Sequence, residues 1–182
     1  MKVDQAFEVG ASPDAVFAFL DDIPAVAACL PGASLGERSS DGAWGGTVAV
    51  SLGPLDLTFE GTATVTTEPA SRTGRVSGSG VDKRGGSRGR IEIVYEVGPA
   101  GAGSQVAIDA DVTLAGPAAQ FGRTGLIEEI ARRLMADFAT CLEARLAGEA
   151  GEAAGPIKGG RLLVGSVLSS IASFFRRIFR RG

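Results

Sequence analysis

The chain has 182 residues, with 18 Lys and Arg against 21 Asp and Glu, 27 glycines, two cysteines and no histidine. That length suits one domain with appendages, and the lack of histidine excludes Ser-His-Asp and Cys-His catalytic sets. The net charge of −3 hides an asymmetry: six of the 18 basic groups and no acid lie in 158–182, so residues 1–157 hold 12 basic and 21 acidic groups, a net −9. An acidic body is a poor partner for nucleic acid.

The N-terminal MKVDQAFEV carries charges where a secretory leader needs an apolar run, so the protein is expected to face the cytoplasm. Lys2 to Val9 alternates, with Val3, Phe7 and Val9 on one side, and reads as a strand. Ser12-Pro13-Asp14 is a helix start: a capping hydroxyl, a proline at the first helical position and an acid in the first turn. The helix over 13–20 groups Val16, Phe17 and Leu20. Asp22-Ile23-Pro24 restarts a short helix that Pro31-Gly32 ends. A β region follows. Val48, Val50 and Leu52 share one face, Gly53-Pro54 is a turn, and Leu57, Phe59, Ala63 and Val65 share the next face opposite a run of Thr and Glu. Arg72 to Gly80 is Gly/Ser-rich. Ile91, Ile93, Tyr95 and Val97 alternate, as do Val106, Ile108, Ala110, Val112 and Leu114.

Gly116-Pro117 opens a helical stretch expected to run to about Leu146, with Ile127, Ile130, Leu134, Phe138 and Cys141 or Leu142 as its apolar stripe; Gly122 and Gly125 weaken its first turns. Residues 148–160, GEAGEAAGPIKGG, form a linker without periodicity. Its 13 residues allow an end-to-end distance of roughly 20 Å. From Arg161 the helical period returns. Leu163, Val167, Leu168, Ile171, Phe174, Phe175, Ile178 and Phe179 fall on one side, with serines and Arg176, Arg177, Arg180 and Arg181 opposite. The uncharged run 162–175 has 14 residues, short of the about 20 that a span needs. The tail therefore reads as an amphipathic helix lying in an anionic membrane surface, where each Lys or Arg contributes about 1 kcal/mol. Docking on a partner protein or on its own domain are the other readings of the same pattern.

The element order is strand, two short helices, about six antiparallel strands and one long helix. The fold class is therefore α+β, a curved sheet that must bury its concave face against the last helix, with room for an apolar cavity between them. The inward candidates are Phe17, Leu20 and Leu30 at one end, Val48, Leu52, Leu57, Phe59, Ile93 and Tyr95 on the sheet, and Ile127, Ile130, Leu134 and Phe138 on the helix. Tyr95 is the only tyrosine; if inward, its hydroxyl needs a partner, for which a ligand carbonyl, a backbone group and water are the candidates. Lys83, Arg84, Arg88 and Arg90 cluster in a Gly-rich turn, which reads as a solvated hairpin tip or as a contact for lipid headgroups or an acidic partner. Cys29 and Cys141 lack disulfide-framework, redox-pair and metal-ligand spacing and read as small buried hydrophobes. No nucleotide loop follows the glycines of 78–89, because the strand-to-helix context is missing.

The segment ASPDAVFAFLDDIPAVAACLPGA (11–33), with VSGSGVDKRGGSRGR (76–90) and GRTGLIEEIARRLMADF (122–138), resembles the CoxG family, the G subunits of carbon monoxide dehydrogenase, within the START/Bet v 1-like (SRPBCC) superfamily. Phe17 stands where many relatives have Trp. The resemblance covers residues 1 to about 146 and implies the helix-grip fold, a domain over 1–147, and a variable linker (148–160) and tail (161–182) after it. It further implies a non-enzymatic protein that recruits a molybdenum CO dehydrogenase-like hydroxylase to the cytoplasmic membrane. A quinone such as menaquinone, held without covalent attachment in the apolar cavity, would link that enzyme to the membrane. A ligand-free adaptor or assembly factor is the alternative, and a polyketide-cyclase-type enzyme fits less well because inward polar groups are scarce.

Overall fold

The computed structural model describes residues 1–52, 54–123 and 125–148, apart from the side chains of 122 and 123. The linker from 149 onward and the basic tail lie outside the described residues. All described residues belong to one compact unit, Met1–Ala150.

Strand β1 (Lys2–Val9) leads into helices α1 (Pro13–Asp21) and α2 (Ile23–Cys29). Then come β2 (Ala33–Arg38), β3 (Trp44–Leu52), β4 (Leu55–Glu68), β5 (Thr73–Val81), β6 (Arg88–Ala100) and β7 (Gly103–Ala115). A 3-10 stretch (Gly116–Arg123) precedes the long helix α3 (Leu126–Leu146). The sheet is antiparallel and open, in the order β1-β7-β6-β5-β4-β3-β2, so the first strand of the chain pairs with the last, β1 with β7, at one edge. This is the curved sheet and long C-terminal helix that the alternation of the sequence predicts, and the Gly/Ser-rich stretch after Arg72 proves to be strand β5.

The helix starts follow their capping chemistry. Ser12 Oγ accepts the Ala15 N–H at 3.4 Å, and Asp22 Oδ1 accepts the Ala25 N–H at 3.1 Å. The C-L-P-G segment ends α2 with one task for each residue. Cys29 is buried and bonded to α3, Leu30 packs on the core, and Pro31 follows the last turn. Gly32 takes φ +80°, where a β-carbon would collide with the Ala49 carbonyl oxygen, and its own carbonyl accepts the Ala49 N–H at 2.9 Å. Glycine at this position lets the chain leave α2 and enter the sheet pressed against β3.

The long helix begins later than its sequence pattern indicates. Gly116 and Gly125 both have left-handed φ, and Gly116–Arg123 is 3-10 rather than α. Tertiary ties hold it there. The Ala118 N–H donates to the buried Ser87 Oγ at 3.2 Å, and Ala118 is fully buried. From Leu126, α3 crosses the inner face of the sheet: Ile127 and Ile130 pack near the β3–β4 end, and Phe138 and Leu142 near α1 and β1. Phe138 meets Phe7 and Phe19 edge-on, with centroids 6.0 and 6.4 Å apart. Among the described residues no helix is long and apolar enough to cross a membrane.

Candidate functional site: the inner face of the sheet

The core is divided. One cluster joins Val9, Val16, Phe17, Leu20, Cys29, Tyr95, Val97, Val106, Phe138 and Leu142. The other joins Leu52, Leu57 and Ala118 with the partly buried Val50, Phe59, Leu114, Ile127 and Ile130. The sequence candidates separate accordingly. Phe17, Leu20, Leu30, Tyr95 and Phe138 fall in the first, and Leu52, Leu57, Phe59, Ile127 and Ile130 in the second. Val48, Ile93 and Leu134 belong to neither and keep part of their surface exposed.

Strand register shows what lies between the clusters. Cross-strand partners on the inner face form rows. Gly46–Gly61–Gly80–Gly89–Leu114 is followed by Trp44–Ala63–Gly78–Ile91–Val112, then Val65–Val76–Ile93–Ala110–Val3, then Thr67–Gly74–Tyr95–Ile108–Gln5. On β4 and β5 the first two rows hold only Gly and Ala. The Phe59 ring leans over part of the first row, where a β-carbon on Gly89 would lie 3.4 Å from its Cε1. On β6 the second row carries Ile91, and the third row carries Val65, Val76 and Ile93, all half-buried. A strip of β4 and β5 with no side chain beyond Cβ, the trough, thus runs across the inner face between the two clusters, and Leu134 of α3, between Ile130 and Phe138 in the helix, is half-buried. Toward the β2–β3 edge the apolar inner face stays open, with Leu35 36% and Val48 48% exposed. Arg38 covers the Trp44 ring there, its Cζ 5.5 Å from the centroid.

The glycines carried this signal in the sequence. Gly46, Gly61, Gly78, Gly80 and Gly89 all occupy inward positions of their strands, although read singly they suggest only turns and curvature.

Tyr95 belongs to the first cluster, two rows from the Gly and Ala strip. Only 7% of it is exposed, its ring lies across Gly74, and its hydroxyl has no hydrogen-bond partner among the described residues. An unpaired buried hydroxyl costs about 1–3 kcal/mol. Burial, helped by the nearby Asp21 carboxylate, pushes its pKa up to about 12. The group is thus a neutral donor throughout the physiological range.

The two cysteines differ from expectation. Cys29 and Cys141 form a disulfide between α2 and α3. Their separation of 112 residues conceals this in sequence, because only the folding of α3 back over α2 makes them neighbours. Between β5 and β6, the basic turn is built by Asp82, whose carboxylate accepts the N–H groups of Arg84 and Gly85 at 3.3 and 2.8 Å. Lys83 pairs with Glu60 at 2.7 Å and Arg90 with Glu92 at 3.2 Å. A shallow open groove of ≈ 460 Å³ beside them is lined by Glu60, Thr62, Ser79, Val81, Arg88 and Arg90, with the backbone of Gly61, Gly80 and Gly89 of the first row between them. It lies on the opposite side of the sheet from the trough.

The family model for the carbon monoxide dehydrogenase G subunit (CoxG) matches residues 6–147. The chain belongs to the CoxG family. The structure places three CoxG-like stretches at structural junctions. The C-L-P-G segment fastens α2 to α3 and β3, the Asp82 turn anchors the 3-10 stretch through Ser87, and the last stretch runs into α3. No curated protein matches the chain in sequence. Among solved structures, a conserved protein from Geobacillus kaustophilus is similar at TM-score 0.70 and 16% identity, covering 82% of this chain and 97% of that one. A START superfamily protein from Mycobacterium smegmatis (TM-score 0.53, 19% identity) covers 82% of this chain and 99% of its own. The Zhui aromatase/cyclase from Streptomyces sp. R1128 (0.55, 15%) covers 85% and 98%. At these identities the likeness shows the helix-grip, START-like fold.

Proposed function

We propose that this CoxG-family protein is a non-enzymatic carrier. It binds a neutral apolar molecule in the inner-face trough, with a quinone such as menaquinone as the cargo, at the cytoplasmic face of the membrane. The observation that carries this reading is the divided core: a well-packed cluster at each end and a band of Gly and Ala with half-buried Ile and Val between them. Ordinary packing fills such a band, since protein interiors are close-packed, and an apolar trough with one polar group at its end is the usual form of a small-molecule site. The family supports the partner: a molybdenum CO dehydrogenase-like hydroxylase, recruited to the membrane and linked through the cargo to the quinone pool. The sequence of 161–182 supports the anchor, because a basic, Phe-rich amphipathic helix suits an anionic lipid surface.

The test is extraction. Protein purified from its native membrane-containing lysate should release an isoprenoid quinone or lipid detectable by mass spectrometry. The variant Ala63→Leu, which fills the trough floor, should release much less while melting normally. Equal yields from both proteins, or none from either, would count against the trough as the cargo site.

A further inference from the structure

The Tyr95 hydroxyl is buried and unpaired on the first-cluster side of the trough. The ring runs along its row from β6 across Gly74 of β5, a position where any β-carbon would collide with the ring. This carries the oxygen over β5, one row from half-buried Val76 and Ile93 at the trough margin. A nearby polar pair is already committed, since the Thr67 hydroxyl donates to Asp21 Oδ1 at 2.9 Å. Thr67 faces Gly74 across the β4–β5 ladder, so this pair and the Tyr95 oxygen share one end of the inner face. The carboxylate there makes the end of the trough unfavourable for an anion. Glycine at 74 keeps the oxygen in place by leaving room for the ring alone.

We infer that Tyr95 Oη is the hydrogen-bond donor that seats the inner end of the bound molecule. By this contact the trough selects a neutral ligand ending in an acceptor oxygen, such as a ring carbonyl, over a hydrocarbon or a carboxylate of the same shape. This deepens the carrier reading and rests on it. The hydroxyl stays protonated because burial and Asp21 both disfavour the phenolate, so it is available as a donor whatever the ligand's redox state.

The test titrates the full chain with three probes of one shape: a short-chain prenyl naphthoquinone, the matching prenyl naphthalene and the matching naphthoic acid. Quenching of the single tryptophan, Trp44 on the same inner face, reports binding. The naphthoquinone should bind tightest. Tyr95→Phe should weaken it about five- to tenfold, leave the naphthalene unchanged, and abolish the infrared shift of the bound quinone carbonyl. The unliganded Tyr95→Phe protein should melt at or above the wild-type temperature, because the substitution removes an unpaired buried group. If the quinone binds and Tyr95→Phe changes neither its affinity nor its carbonyl band, the donor assignment is overturned while the trough stands. Equal binding of the acid overturns the selectivity, and a clear fall in melting temperature assigns the hydroxyl a structural partner instead. Binding of none of the three probes overturns the carrier reading itself.

Discussion

Cys29 and Cys141 are joined across 112 residues of sequence, with Cα atoms 5.5 Å apart, so the last turn of α2 is covalently fixed to α3. The bond lies at the buried end of the inner face, where Phe17, Leu20 and Phe138 also pack. It ties the short helices that close that end to the helix that lies over the sheet.

A crosslink closing so long a loop stabilises mainly by restricting the unfolded chain, on the order of 4–5 kcal/mol before any strain is counted. Reduction, or Cys29→Ser, should therefore lower the melting temperature by roughly 10 °C in a domain of this size, without loss of the sheet signal in circular dichroism. Thiol counting on the unfolded, unreduced protein checks the bond directly: two reactive thiols would contradict it.

Gly74→Ala should be among the most costly single-methyl additions in the sheet. The new β-carbon would occupy the place of the Tyr95 ring, and overpacking of this kind costs about 1–3 kcal/mol. Combining it with Tyr95→Leu should recover part of the loss, because the two residues share one space. Urea denaturation of the two single variants and the double variant measures this coupling, and additive losses would rule it out.

The raised pKa of Tyr95 also has a consequence for stability. Its folded pKa of about 12 lies above the unfolded value of about 10. The folded state therefore holds its proton over a range in which the unfolded chain releases it. The contribution, at most about 2–3 kcal/mol by linkage, is fully present below pH 10 and is lost as pH rises toward 12. Since no other tyrosine is present, the phenolate absorbance band follows this one group. Wild type should lose stability relative to Tyr95→Phe across that window, and titration of the native protein near the unperturbed value would show the hydroxyl to be solvated.

Removal of residues 161–182 should leave the body soluble with an unchanged melting curve and abolish flotation with anionic liposomes. Flotation of the full chain should weaken at high salt, which screens the Lys and Arg contribution. Persistence of flotation after the deletion would place the membrane contact elsewhere, with the exposed Arg84 of the β5–β6 turn and Arg88 at the start of β6 the next place to look.

Most of the fold was legible in the sequence. Period-two alternation in β3, β4, β6 and β7, Ser12 and Asp22 as caps, and the stop at Pro31-Gly32 are local signals that burial reinforces. The start of α3 was not legible, because Pro117 and the later apolar stripe look helical while Ala118 is held by Ser87 from another strand. The candidate site was legible only in outline. The apolar inward residues could be listed, yet ten of the thirteen proposed for a cavity pack into the two clusters, while Ile93 and Leu134 belong to neither and Val48 lies open toward the β2–β3 edge.

By itself the sequence determined the helix-grip order, the acidic body with its basic tail, and the absence of histidine chemistry, since each depends on residue type and near-neighbour spacing. Tertiary structure alone decided the relations between distant residues: the Cys29–Cys141 bond, the alignment of Gly46, Gly61, Gly80 and Gly89 into one row, and the isolation of the Tyr95 hydroxyl over Gly74. Strand register and the path of α3 set these relations, and both emerge only when strands from the two ends of the chain pair and bury a common face.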